Sequence, residues 1–118
     1  MARVGHLNLT VGDVDASIAF YARWFGFARV LARYDDGTVF VTDDDGFELA
    51  FHAGEAVADD GWHFGFLASS AHEVVDLATG LDAARVPVVQ REESPAYTGF
   101  KCRDPDGYWI EVYHEPRG

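Results

Sequence analysis

The strongest constraint on how this 118-residue chain can fold is that one order of elements reads twice. Val4 to Val11 alternates as a strand and stops at Gly12-Asp13. Ile18, Tyr21, Ala22 and Phe25 then recur at helical spacing, so a helix is expected from Val14 to Phe25, capped by Asp13 and ended by Gly26. Three short strands follow, Ala28 to Tyr34, Thr38 to Thr42 and Phe47 to Ala53. They are joined by Asp35-Asp36-Gly37 and Asp43-Asp44-Asp45-Gly46, both hairpin turns. After a polar link from Gly54 to Gly61 the order returns. A strand is expected from Trp62 to Ala68, then a helix through Val74, Leu77, Ala78 and Leu81 opened by the capping box Ser70-Ala71-His72-Glu73. Strands over Val86 to Arg91, Gly99 to Arg103 and Tyr108 to His114 complete the second round, the last two joined by Asp104-Pro105-Asp106-Gly107. Neither half can bury its sheet alone. The expected fold is therefore α+β, one domain of paired βαβββ modules (about residues 1–54 and 61–118) forming a curved mixed sheet.

Alternation along the strands decides what each face carries. Leu7, Leu9 and Val11 oppose His6, Asn8 and Thr10, while Leu49 and Phe51 oppose Glu48, Ala50 and His52. In the second half, Phe64 and Phe66 oppose His63, and Ile110 and Val112 oppose Trp109, Glu111 and Tyr113. Each strand has one apolar face and places its ionisable residue on the other. A lone His or Glu at such a place is most often structural or merely solvated; the recurrence of a His and a Glu in both halves is what singles these four out. Two imidazoles and two carboxylates brought together need a compensating charge, which a divalent cation supplies. His6, Glu48, His63 and Glu111 are accordingly the expected metal ligands. Mixed nitrogen and oxygen donors suit Zn, Ni, Mn, Fe or Co without selecting one. Four such ligands on an octahedral ion leave two adjacent positions for the vicinal oxygens of a substrate. The repeat is offset at this point, because Glu48 lies two residues beyond Gly46 and Glu111 four beyond Gly107. A shift of two keeps the carboxylate on the same face.

Composition removes several other functions. The net charge is −11 and no Lys/Arg cluster is present, which argues against nucleic acid and against an anionic membrane surface. The Asp runs lack the alternating carboxylates, central Gly and terminal Glu of a calcium loop. Cys102 is the only cysteine, so no intrachain disulfide or cysteine-rich zinc module can form, and a packed thiol in a reducing cytosol is expected. The opening residues carry no apolar signal region, which fits a cytoplasmic protein. Trp24, Trp62, Tyr97, Phe100, Tyr108 and Trp109 are aromatic candidates for the walls of a small-molecule site, although most such residues serve small cores. His52 shares the Glu48 face and Tyr113 the Glu111 face. With Tyr97, Phe100, Trp109 and the cation Lys101 they make up the substrate-binding candidates.

Gly5-His6-Leu7-Asn8-Leu9-Thr10-Val11-Gly12-Asp13, with Phe20-Tyr21 and Phe25-Gly26-Phe27 after it, resembles the opening of the vicinal oxygen chelate superfamily (glyoxalase, bleomycin resistance protein, dioxygenase). Glu48-Leu49-Ala50-Phe51, His63-Phe64-Gly65-Phe66 and Asp104-Pro105-Asp106-Gly107-Tyr108-Trp109-Ile110-Glu111 are similar to its later motifs. The likeness spans nearly the whole chain and implies a glyoxalase-like fold. The four-position set His, Glu, His, Glu is most similar to glyoxalase I. The resemblance thus implies a metal-dependent lyase or isomerase, with Glu111 or Glu48 as general base. It also implies a homodimer in which His6 and Glu48 of one chain meet His63 and Glu111 of the other. The same superfamily holds the alternatives: a metal-free drug-binding protein, a thiol transferase, or an extradiol dioxygenase. No set of basic residues matches a clamp for the carboxylates of glutathione; Arg3, Arg91, Lys101 and Arg103 are candidates by charge alone.

Overall fold

A computed structural model describes residues 1–116. Its elements run β1 (His6–Val11), α1 (Val14–Phe25), β2 (Arg29–Arg33), β3 (Val39–Thr42) and β4 (Glu48–Ala53), then β5 (Phe64–Leu67), α2 (Ala71–Ala83), β6 (Val88–Glu93), β7 (Thr98–Arg103) and β8 (Trp109–His114). The α+β fold of paired βαβββ modules is borne out. Each module has its own four-stranded sheet, and the strand order is the same in both: β1-β4-β3-β2 and β5-β8-β7-β6. In each, the first and last strands run parallel and the remaining pairs antiparallel. Two compact units result, Met1–Val57 and Ala58 onward. No helix among the described residues is long and apolar enough to cross a membrane.

Local chemistry explains the first unit. Asp13 takes the extended conformation of a cap and its side chain accepts from the Ala16 amide at 3.1 Å, satisfying one orphan donor of α1. Gly26 ends the helix at φ 76°, a conformation in which a side chain is strained. The inner face of α1 presents Tyr21, fully buried and stacked on Phe51 of β4 with ring centroids 5.4 Å apart. Leu9, Val11, Val41 and Leu49 join that core, each at most 2% exposed.

The second unit is built alike. Ser70 accepts from the Glu73 amide at 3.1 Å. The returning half of the capping box differs from expectation, since Glu73 Oε2 accepts from the Ser69 hydroxyl at 2.6 Å. Val74, Ala78 and Leu81 of α2 are buried, as are Phe100, Cys102, Ile110 and Val112 on β7 and β8. The two acidic turns are one motif used twice. Asp43 Oδ1 accepts from the Asp45 and Phe47 amides, and Asp104 Oδ1 from the Asp106 and Tyr108 amides. Gly46 and Gly107 then turn the chain at φ 86° and 91°.

Cys102 is fully buried on the face of β7 away from Lys101 and Arg103. Burial first, and then the Asp104 charge, push its thiol up to about 12. The folded value lies above the unfolded one, near 8.5. The neutral thiol therefore contributes fully to stability below about pH 8.5, and that contribution is lost as pH rises toward the folded value. At pH 8 the native protein is expected to leave a thiol-titrating disulfide reagent unreacted, with one equivalent reacting after denaturation.

Candidate metal and substrate site

In the first unit the parallel pairing of β1 and β4 sets His6 directly opposite Glu48. Both lie on the face away from α1, and the His6 ring meets Phe40 edge-on with centroids 5.5 Å apart. His52 lies on the same face as expected, but both of its ring nitrogens are already engaged. Nδ1 is 2.7 Å from Asn8 Oδ1 and Nε2 is 2.7 Å from Thr10 Oγ1. The ring thus braces β1 against β4 through Asn8 and Thr10, on the face that carries His6 and Glu48.

In the second unit His63, immediately before β5, reaches Glu111 of β8. Its Nε2 lies 3.1 Å from Glu111 Oε1, with the two side chains 43% and 22% exposed. The other carboxylate oxygen, Oε2, accepts a 2.5 Å hydrogen bond from the Tyr97 hydroxyl. Such a length is that of a charge-assisted O–H···O⁻ bond. Burial, followed by the hydrogen bond and charge of Glu111, holds the Tyr97 hydroxyl well above the usual tyrosine range, so it stays a neutral donor. The ring runs nearly parallel to that of Tyr113, at 13°.

Tyr97 reaches Glu111 because position 99 has no side chain. A Cβ on Gly99 would sit 2.2 Å from the Tyr97 hydroxyl oxygen and 2.5 Å from Cζ. Tyr97, a substrate-binding candidate from the sequence, holds the Glu111 carboxylate, and Gly99 is the position that sequence reasoning missed. The available signal was a glycine inside a strand, which marks a place where another group approaches the backbone closely.

Lys101 pairs across the strand with Glu111, and Trp109 and Tyr113 share its face. Phe100 does not. It pairs with Val112 on the opposite face, is 1% exposed and packs in the α2 core, so its place among the substrate-binding residues is corrected. Beside His63 lies a hollow of about 250 Å³ lined by Asp60, Trp62, His63, Gln90, Lys101 and Trp109. The remaining histidines stand apart from both pairs: exposed His72 meets Asp76 one helical turn on, and His114 Nδ1 approaches the Ala68 carbonyl.

The donor types, imidazole nitrogen and carboxylate oxygen, suit a first-row cation. A nitrogen and an oxygen each about 2.1 Å from one ion, at right angles, stand about 3.0 Å apart. His63 and Glu111 stand at 3.1 Å. Among the described residues no group of three or more His, Cys, Asp or Glu gathers at one point. The four expected ligands thus appear in the chain as two pairs, one in each unit.

A model of the Glyoxalase/Bleomycin resistance protein/Dioxygenase superfamily matches residues 3–112. An uncharacterised protein of Pseudomonas aeruginosa is 35% identical over 96% of this chain and 89% of its own length. The lactoylglutathione lyase of Pseudomonas putida is 30% identical over 91% of this chain and 82% of its own. Among solved structures, a glutamate-to-glutamine mutant of the fosfomycin resistance protein FosX of Listeria monocytogenes, crystallised with Mn(II) and a dihydroxypropylphosphonic acid, superimposes with a TM-score of 0.81. It is 17% identical, with 95% of this chain and 89% of that one covered, a likeness of fold. Repeated module, strand order and matched span agree, and the chain belongs to the Glyoxalase/Bleomycin resistance protein/Dioxygenase superfamily.

Proposed function

We propose that this protein is a metal-dependent lyase or isomerase of the glyoxalase type, acting on a small substrate with vicinal oxygens. The observation that carries the reading is Glu111, a carboxylate held between the His63 imidazole and a neutral Tyr97 hydroxyl. A divalent ion of the Zn, Ni, Mn, Fe or Co group would be held by His63 and Glu111 of one copy together with His6 and Glu48 of a second. When bound it supplies Lewis-acid polarisation of the substrate's oxygens. A homodimer with shared sites is part of the proposal, because a pair of donors falls short of the three or four protein ligands that such ions take. Glu111 serves as general base, taking a proton from the carbon beside the polarised oxygen. Tyr97 holds Oε2, and Oε1, the oxygen facing His63, is the atom that would take the proton once released from the ion. Glu48 is the second carboxylate able to take that proton. The lactoylglutathione lyase name of the Pseudomonas putida relative and the Mn(II) of the Listeria structure support the choice of chemistry. A cytoplasmic setting goes with it.

A second reading, metal-free drug binding, draws on the indoles of Trp62 and Trp109 in the hollow. One experiment separates the two. The purified protein is equilibrated with each metal, its metal content measured, and the loaded dimer assayed with hemithioacetals, fosfomycin plus thiols, and catechols. One ion per chain and chelator-sensitive isomerisation of a hemithioacetal are expected. Stoichiometric drug binding by a metal-free protein without turnover would overturn the proposal.

A further inference from the structure

The hollow beside His63 has a chemical bias of its own. One wall is the Trp109 indole, fixed by a 2.7 Å hydrogen bond from Nε1 to Asp60 Oδ1 and by the Arg103 guanidinium stacked 4.0 Å from the ring centroid. Trp62, packed on Tyr108 with centroids 5.3 Å apart, supplies a second flat surface. The cation Lys101 also lines the hollow, and among the described residues it makes no ion pair. The nearby carboxylates are otherwise engaged: Asp60 by Trp109 and Arg103, Glu111 by His63 and Tyr97.

Gln90 completes the lining, and its backbone is unusual. It sits at φ 53°, in the left-handed region, inside a bulge where three steps along β6 (Val89 to Glu92) oppose two along β7 (Lys101 to Gly99). Bulges beside functional sites re-aim side chains, and a non-glycine residue in this region is held there by its surroundings. The bulged Gln90, whose carboxamide is able to donate a hydrogen bond, lines the same hollow as Lys101.

We infer that this hollow is a subsite for an anionic oxygen group on a flat substrate. Lys101 and Gln90 take the oxyanion, and the indoles of Trp62 and Trp109 take the body that carries it. A single ammonium and one carboxamide suit a monoanion, and a volume of about 250 Å³ suits a small one. This deepens the proposed function by naming a substrate class, and it rests on that reading for the reaction but not for the binding.

The test uses benzoate and its neutral isostere benzamide, titrated against the metal-loaded and the chelator-treated protein and followed by tryptophan fluorescence. A hydrogen bond to a charged group in a partly enclosed site gives a preference for benzoate of roughly tenfold or more. That preference is expected to shrink as salt screens the pair, to vanish in Lys101→Met and to persist in Lys101→Arg. The salt series on the unaltered protein keeps the test decisive even if Lys101→Met fails to fold. Equal binding of benzoate and benzamide, or a preference indifferent to both salt and Lys101, overturns the inference. The two readings fail separately: a protein that takes up no metal yet prefers benzoate sinks the proposed function alone, and one that takes up metal without the preference sinks the subsite alone.

Discussion

Glu111→Gln is expected to lower turnover of the metal-loaded enzyme roughly 10²–10⁴-fold, the range of a lost general base. The substitution keeps the shape of the side chain but removes the charge that both neighbours read. An amide oxygen can still accept from Tyr97, yet it presents an NH₂ group toward His63, and neither atom matches a carboxylate as a donor to a hard or borderline cation. Metal content of the dialysed variant should fall in parallel. Tyr97→Phe gives the graded companion result. It removes only the hydrogen bond to Oε2, so metal affinity is expected to drop by about 10–100-fold, as for partners that orient a metal ligand. If Glu111→Gln keeps both its metal and its turnover, Glu111 has neither role.

Gly99→Val is expected to damage the site without touching a donor. The new Cβ would fall within 2.2–2.8 Å of the Tyr97 hydroxyl oxygen and two ring carbons, and the ring is stacked with that of Tyr113. Relief requires the ring to leave Glu111. Destabilisation of about 1–3 kcal/mol is expected, as for other overpacked positions, with a fall in metal affinity at least as large as in Tyr97→Phe. The clash includes the ring carbons Cζ and Cε1, so Tyr97→Phe should not rescue Gly99→Val, whereas Tyr97→Ala should restore most of the stability and none of the affinity. A double-mutant cycle on denaturation midpoints measures that coupling. Additive effects would show that the two residues do not collide.

The bounds of α1 were legible in the sequence to the residue, because Asp13 and Gly26 are chemically distinct stop marks at its two ends. The faces of β1, β4 and β8 were legible because alternation is local. Phe100 was misplaced although alternation sets it on the face opposite its neighbour Lys101; which of those two faces carries Glu111 is fixed only by the pairing of β7 with β8. The His52 contacts to Asn8 and Thr10 span more than forty residues and depend on the parallel register of β1 with β4. The bulge at Gln90 has no glycine to announce it. Long-range register and backbone irregularity, rather than residue type, were the missing information.

The paired acidic turns have one more consequence. Laid on one another, with Gly46 on Gly107, they put Trp109 at the rung occupied by Glu48, Glu111 at that of buried Ala50, and Lys101 at that of Phe40. One carboxylate therefore lies directly across from its imidazole, and the other two residues, about 6.7 Å, further along its strand. The two units thus differ by a two-residue shift in where the carboxylate stands relative to its imidazole. The rung that holds Glu48 in the first unit holds the Trp109 indole in the second, and Lys101 stands across from Glu111 where Phe40 stands across from Ala50, so the second unit brings both an aromatic and a cationic group to its donors. Divergence of the two halves is written in strand position, and it leaves the shared backbone plan intact.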